Sequence, residues 1–291
     1  MKLSAGFVGF DGTESKRAVL AIWQTKEAEG IGGDLNVLLR TPHARAKTML
    51  SKFTRMCNVR AFITDEKNRL AWEKAGAKIA GGYDDFFEES DVIVVGTPEG
   101  QEKPYVQASL SHDCKTILMG GAHRAKIRQE LAESGVEIPE AVRKDLAKEF
   151  FFGLENYERF LDDGAKLVQC TSCNTTGMCR AVLAAKPLGL KAVIGDLDRR
   201  SGDPHNVVKI SPNAIQFGSG AGHQGQDART VFKDVEFSVR ASKVPTTMPH
   251  VHHLNLIFEG DPTPEDLLEH LSQTRRVAVN PYEDAGKKHD W

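Results

Sequence analysis

Two residue types in this chain, in the pattern they form, suit covalent chemistry at neutral pH, a cysteine as nucleophile and a histidine as base. The stretch Cys170-Thr171-Ser172-Cys173-Asn174-Thr175-Thr176-Gly177-Met178-Cys179-Arg180 holds three of the five cysteines. The apolar run Lys166-Leu167-Val168-Gln169 before it predicts a strand, and the spacing from Asn174 to Leu183 predicts a helix. Cys173 then falls at or just before a helix N-terminus. Unpaired N–H groups and the positive end of the helix dipole favour an anion there. A thiol so placed is drawn towards thiolate, its reactive form. The same N–H groups can cradle the oxyanion that forms when a thiolate attacks a carbonyl. Other chemistries stay open on type and spacing alone. Cys173 could be a small buried residue, and Cys170-x-x-Cys173 could be a redox pair or half a zinc site, although no second Cys-x-x-Cys follows. The second residue type is histidine, the natural base near neutral pH. His250-x-His252 puts two imidazoles on one face of a strand. With Cys170 and Cys173 they would also make a zinc set by type.

Other residues suit anions. Arg199, Arg200, His223 and Thr175, with the helix N-terminus at Asn174, could hold a phosphate. Near the start, Gly9-Phe10-Asp11-Gly12-Thr13-Glu14-Ser15 follows a predicted strand and precedes a predicted helix, the setting of a dinucleotide phosphate turn. Its spacing departs from the usual three-glycine pattern. Asp11 is an extra residue, Ser15 replaces the last Gly, and Glu14 stands where an apolar residue is usual. Two carboxylates beside a pyrophosphate would repel it. The second strand ends in Arg40-Thr41-Pro42 with no acidic residue for a ribose hydroxyl, which favours a 2′-phosphate and so NADP over NAD. Thr97-Pro98 and Gly120-Gly121, at the ends of later strands, would line the cofactor cleft.

The elements that must carry these residues alternate. Strands are predicted over 3–10, 34–39, 77–80, 91–95 and 115–119, with helices over 16–27, 43–53, 66–75 and 84–89. This alternation predicts a parallel, doubly wound sheet. Residues 123–150 read as a charged helical excursion, and Phe150-Phe151-Phe152 needs a partner surface. After Cys173 the pattern changes to longer strands over 191–197, 232–243 and 251–258, which predicts an α+β half with a mostly antiparallel sheet. Thr263-Pro264-Glu265-Asp266 is a strong helix start. Arg275 to Val279 reads as a last short strand. The resulting division is a Rossmann-like domain over 1–172 and a catalytic domain over 173–291. The net charge of −2 gives no electrostatic case for nucleic acid or a membrane surface. No apolar run approaches the ~20 residues that span a bilayer, and the first residues lack a signal-peptide core. Few, crowded cysteines suit a reducing cytoplasm.

Ser172-Cys173-Asn174-Thr175-Thr176-Gly177-x-Cys179-Arg180 resembles the nucleophile motif of archaeal-type (type II) glyceraldehyde-3-phosphate dehydrogenases. The resemblance continues through Arg199-Arg200-x-x-Asp203-Pro204, Pro212-Asn213-Ala214-Ile215 and Val244-Pro245-Thr246-Thr247-Met248-x-His250. Upstream, Lys74-Ala75-Gly76, Asp91 to Val95, Thr97-Pro98-Glu99-Gly100 and Gly120-Gly121 fall in family order. It runs from about Arg60 to about Val279. The resemblance implies a phosphorylating glyceraldehyde-3-phosphate dehydrogenase; a relative acting on another phosphorylated aldehyde or acyl phosphate, and a diverged homologue that keeps the fold and thiol for a binding or regulatory role, stay open. Cys173 would attack an aldehyde, His250 would take the hydroxyl proton, hydride would pass to NADP (or NAD), and inorganic phosphate would cleave the thioester. It implies a phosphorylated aldehyde as substrate, touched by Ser172, Asn174, Thr175, Arg200, His223 and Gln224. The family has two adjacent histidines where this chain has His223-Gln224. It implies Gly9, Gly12, Thr13, Glu14, Arg40, Thr97, Gly120, Gly121 and Arg199 on the cofactor, no metal, and a homotetramer.

Overall fold

The computed structural model describes residues 2–98, 100–120, 133, 140–147, 149–162, 164–202, 213–218, 222–247 and 250–280. The chain forms two compact units, one of Met1–Lys148 with Phe160–Cys170, the other of Glu149–Arg159 with Thr171–Trp291.

The first unit is built on one sheet. Its strands are β1 (Ala5–Val8), β2 (Leu35–Leu39), β3 (Arg60–Ile63), β4 (Ile79–Gly81), β5 (Val92–Val95), β6 (Lys115–Leu118) and β7 (Leu167–Gln169). They lie in the order β4-β3-β2-β1-β5-β6-β7, with every pairing parallel. Every residue of β1 and β2 is buried, as a parallel sheet covered on both faces requires. Alternate residues serve opposite faces. Val8, Leu38 and Phe62 pack with Phe86, Phe87 and Leu118, while Phe7, Leu39 and Ile63 pack with Val19, Phe53 and Trp72. The strand order reverses between β1 and β5. In open sheets of this kind the crevice beyond the strand C-termini at the reversal is the place for a ligand.

The expected alternation is present, with helices at Ser15–Glu29, Ala44–Cys57 and Tyr83–Glu88 close to the predicted spans. The span 66–75 divides into a 3-10 turn, Glu66–Asn68, and a short helix, Arg69–Glu73. Strand β3 and the helix Lys103–Ser111 carried no expectation. Most of the 123–150 excursion lies outside the described residues. Within it is a helix, Glu140–Ala147, whose Asp145 carboxylate accepts from the N–H groups of Lys166 and Leu167 at 2.7 and 2.9 Å.

The second unit is built on β8 (Leu190–Arg200), β9 (Gln216–Phe217), β10 (Glu236–Val244) and β11 (Val251–Phe258), in the order β11-β8-β10-β9. The β8–β10 pairing is parallel, and the β8–β11 and β9–β10 pairings are antiparallel. The β8–β11 register runs from Val251 opposite Asp198 to Ile257 opposite Ala192, and an irregularity between Ile257 and Phe258 brings Phe258 opposite Leu190. The helices Cys173–Ala185 and His223–Val231 contribute Met178, Cys179, Val182, Ala228 and Val231 to a core shared with Val193, Leu197 and Val239. Phe150 and Phe152 find their partner surface here. The Phe152 and Phe232 rings lie 6.2 Å apart. Thr263 opens the helix Pro264–Gln273 with a reciprocal capping box to Asp266, as the sequence predicts. The expected strand over 275–279 does not form. Val277 N–H turns back to Thr274 O at 3.1 Å and Arg276 takes φ 66°, a turn that pulls the segment out of extended conformation. No described helix is long and apolar enough to cross a membrane.

Candidate active site

Ser172 is the N-cap of the helix Cys173–Ala185. Its extended backbone turns the chain, and its Oγ accepts from Thr175 N–H at 3.2 Å and contacts Thr175 Oγ1 at 2.9 Å. A second hydroxyl pair, Thr171 and Thr176 at 2.7 Å, braces the same turn. The small polar residues of the motif thus shape the turn that presents Cys173 as the first helical residue. Cys173 is exposed, whereas Cys57, Cys114 and Cys179 are buried and Cys170 is half-buried. Burial pushes the Cys170 and Cys114 thiols up to about 11 and the Cys179 thiol higher still, away from the thiolate range.

The inner face of β11 and its approach supply the histidines. His250 Nε2 lies 3.3 Å from Cys173 Sγ, and His250 Nδ1 accepts from Arg200 N–H at 3.1 Å. Two residues on, His252 Nε2 lies 3.1 Å from Asn174 Oδ1, and Asn174 Nδ2 donates to Cys173 Sγ at 3.7 Å. Burial holds His252 below the usual histidine range and so favours its neutral form. Gly177 makes room for this ring. A Cβ there would lie 2.8 Å from His252 Cε1. Among the described residues there is no cluster of His, Cys, Asp and Glu able to hold a metal ion.

His223 and Gln224 open the helix His223–Val231. His223 Nδ1 meets Asp227 Oδ2 at 2.8 Å, and its Nε2 meets Gln224 Nε2 at 2.9 Å. Gln224 is buried, and its Oε1 has no partner among the described residues. Arg199 and Arg200 end β8, with Arg199 Nε also buried and unpartnered among the described residues.

In the first unit a cleft of about 340 Å³ opens at the β1/β5 reversal. Gly9, Phe10, Asp11 and Gly12 after β1 line it, with Arg40, Thr41 and His43 after β2 and Gly96, Thr97 and Pro98 after β5. Gly9 takes φ 72°, and a Cβ on it would lie 2.8 Å from Gly96 O, so only glycine closes the turn. Of the two carboxylates expected to repel a pyrophosphate, Asp11 does line the cleft and Glu14 does not. Asp11 lies 3.3 Å from His43 Nε2, and Glu14 is exposed. Thr97 lines the cleft, and Thr13 stands in the turn; each has a buried hydroxyl unpartnered among the described residues. These hydroxyls, the glycine cradle and the start of the helix Ser15–Glu29 fit a phosphorylated nucleotide. Gly120 follows β6 at φ 76°, off the cleft lining, and Gly121 lies outside the described residues. Sequence reading missed His43 and Trp72. Trp72 is fully buried, lines the cleft and donates from Nε1 to Arg40 O at 2.7 Å, holding the Arg40 main chain in place. Arg40 Nη1 donates to Gln101 Oε1 at 3.0 Å.

No protein-family model matches the chain. Among solved structures it is similar to aspartate semialdehyde dehydrogenase II from Vibrio cholerae, with TM-score 0.61 and 11% identity, covering 99% of this chain and 86% of that one. It is similar too to the NADP complex of aspartate semialdehyde dehydrogenase from Candida albicans, with TM-score 0.56, 13% identity and coverage of 94% and 76%. At such identities the likeness is one of fold. Among curated proteins it is 33% identical over 216 residues to glyceraldehyde-3-phosphate dehydrogenase 2 of Methanosarcina acetivorans, spanning 72% of this chain and 57% of that relative. With glyceraldehyde-3-phosphate dehydrogenase of Methanothermus fervidus it shares 30% identity over 282 residues, spanning 94% of this chain and 72% of the relative. On sequence identity of this extent, the chain belongs to the archaeal-type glyceraldehyde-3-phosphate dehydrogenase family.

Proposed function

We propose that this protein is a phosphorylating aldehyde dehydrogenase that works through a thioester on Cys173 and uses NADP or NAD. The observation that carries the reading is the approach of His250 Nε2 to Cys173 Sγ, 3.3 Å, at the first residue of a capped helix. An exposed sulfur there can add to an aldehyde carbon, and the helix N–H groups face the oxygen that becomes negative. Gly9, Gly12, Thr13, Arg40 and Thr97 would hold the dinucleotide, with Arg40 favouring a 2′-phosphate. When bound, its nicotinamide supplies the hydride acceptor. Inorganic phosphate would then release the acyl group, with Arg199, Arg200 and the His223–Gln224 pair as anion holders. A homo-oligomer belongs to the same reading and is checked by light scattering.

The substrate we favour is glyceraldehyde 3-phosphate. A relative acting on another phosphorylated aldehyde or acyl phosphate is the second reading, favoured by Gln224. Its amide fills a buried position against His223 and brings no charge to a substrate phosphate. The test is the growth of NADPH absorbance with phosphate present, across aldehydes with and without a phosphate group. Turnover of glyceraldehyde 3-phosphate above all others supports the first reading. Preference for another phosphorylated aldehyde selects the second, and no turnover of any aldehyde rejects both.

A further inference from the structure

We infer that Asp11, the extra residue in the turn after β1, grips the 3′-hydroxyl of the adenosine ribose, and that His43 holds its carboxylate in place to do so. The inference rests on the dinucleotide reading above and gives a role to a carboxylate that the sequence makes look repulsive.

The turn takes up its extra residue in a defined way. Gly12 N–H donates to Gly9 O at 2.8 Å, so Gly9-Phe10-Asp11-Gly12 is a closed β-turn. Phe10 is buried, and its ring lies 6.3 Å from that of Phe53. With Phe10 fixed in the core, the next residue, Asp11, falls on the cleft lining. Its Oδ2 lies 3.3 Å from His43 Nε2, and the side chain is only 21% exposed, sheltered enough to be weakly screened by solvent. His43 is itself fixed. It is the N-cap of the helix Ala44–Cys57, and its Nδ1 accepts from Ala46 N–H at 3.4 Å. A main-chain N–H only donates, so Nδ1 offers a lone pair and the ring carries its proton on Nε2, facing Asp11. The contact is a donor meeting a carboxylate.

Place and chemistry then agree. In a dinucleotide fold the pyrophosphate sits at the N-terminus of the helix after β1, and an acidic residue near the end of β2 holds the ribose. Here β2 runs into Arg40-Thr41-Pro42-His43, with no acid. The contact with His43 brings a carboxylate to that end of the cleft from the β1 turn instead. An ionised carboxylate accepts and cannot donate, so its ligand must bring a donor. The pyrophosphate brings acceptors alone, whereas the ribose brings hydroxyls. With one carboxylate oxygen engaged by His43, the other is left for a hydroxyl. Arg40 serves the 2′ position, which leaves Asp11 the 3′-hydroxyl that NAD and NADP share. Asp11 touches the cofactor, and His43 is a positioning residue.

Calorimetry of NAD and NADP binding separates the two roles of this carboxylate by sign. A ribose holder requires that Asp11→Asn, nearly isosteric, weaken both dinucleotides about tenfold, the scale of a hydrogen bond to a charged group. A carboxylate that only repels the pyrophosphate requires tighter binding, and that result overturns the inference. The 3′-deoxyadenosine form of NAD identifies the hydroxyl. Wild type should bind it about tenfold more weakly than NAD, and Asp11→Ala should bind the two alike. Equal affinities in wild type overturn the inference without any variant, and an equal loss in both proteins overturns it as well. His43→Asn keeps a good helix cap but is too short to hold Asp11. It should weaken NAD binding in the wild-type background and change nothing further in the Asp11→Ala background, while additive losses would overturn the positioning role. Circular dichroism establishes that the variants fold. Wild type that binds neither dinucleotide rejects the cofactor reading and this inference together, whereas wild type that binds both, with tighter binding in Asp11→Asn, rejects this inference alone.

Discussion

At the scale of the residue, Cys173 is set apart by exposure. It should be the first thiol alkylated at neutral pH, and Cys173→Ser should abolish turnover while Cys179→Ser, buried in the core, leaves the labelling rate of Cys173 unchanged. Mass mapping of the labelled peptide checks this, and faster labelling of Cys179 would refute it. His252 gives a pH signature. Burial lowers its folded value below the unfolded one, so as pH falls past the ordinary histidine range the unfolded chain binds a proton that the folded chain refuses. Its contribution therefore lowers stability towards acid. His252→Gln should flatten the acid limb of a urea-denaturation series relative to wild type, and an unchanged slope would show that the ring binds its proton equally in the folded and unfolded states. The motif alone makes Cys173 and His250 legible in the sequence. The groups that orient them are not, because Arg200 acts through a main-chain N–H that every residue but proline possesses, and His252 acts through an asparagine.

At the scale of the element, glycine positions decide how helices meet strands. A Cβ on Gly177 would press on the His252 ring at 2.8 Å, so Gly177→Ala should cost about 1–3 kcal/mol of stability and displace the ring from Asn174. The check is a denaturant midpoint measured beside the Cys173 alkylation rate, both of which should fall. In the first unit a Cβ on Gly96 would lie 1.8 Å from the buried Ser15 Oγ. Gly96→Ala should push back the first turn of the helix Ser15–Glu29 and weaken NADP binding about tenfold, ~1.4 kcal/mol, by calorimetry; unaltered affinity would remove that turn from the cofactor site. Most elements were legible because apolar runs alternate with helical spacing. The helix His223–Val231 was not, since it is polar and contains Gly225. Its formation rests on a tertiary contact, Gly225 lying flat against Phe237 and Val239, where a Cβ would come within 3.5 Å of both. Strand β3 opens on a charged residue, Arg60, which interrupts the apolar run; its guanidinium sits over Phe62, 5.3 Å from the ring centre. The short strand over 275–279 failed for the opposite reason, a β-favouring sequence with a turn where it needed extended backbone.

At the scale of the whole molecule, each compact unit has its own hydrophobic core, and the residues that line the cleft at the β1/β5 reversal belong to the first. A ligand that binds only the folded form stabilises it by about 2.7 kcal/mol at a hundred times its Kd. NADP should therefore raise the unfolding temperature of the part of the melt that belongs to the first unit. NADP should do so more than NAD at equal concentration, and Arg40→Ala should erase the difference. Equal shifts from both dinucleotides in wild type would remove Arg40 from the 2′-phosphate role. The division into a parallel sheet and a second sheet of longer strands was legible from the change in strand length and spacing after Cys173, but that sheet was expected to be mostly antiparallel and the long parallel β8–β10 pairing was not foreseen. The bounds of the units were less so, because Glu149–Arg159 joins the second unit through Phe150 and Phe152, an assignment that depends on packing partners far along the chain. One further consequence lies in the pairing of β11 with β8. Because His250 and His252 are two residues apart, a slip of two positions would bring the wrong imidazole to Cys173 with every apolar side chain still facing inward. An irregularity such as the one at Ile257/Phe258 pins the register of a strand pair and so opposes that slip. A saturation survey scored on turnover would then draw the active site too large, flagging Phe258, eight residues and about 26 Å of strand from His250, as though it touched the substrate.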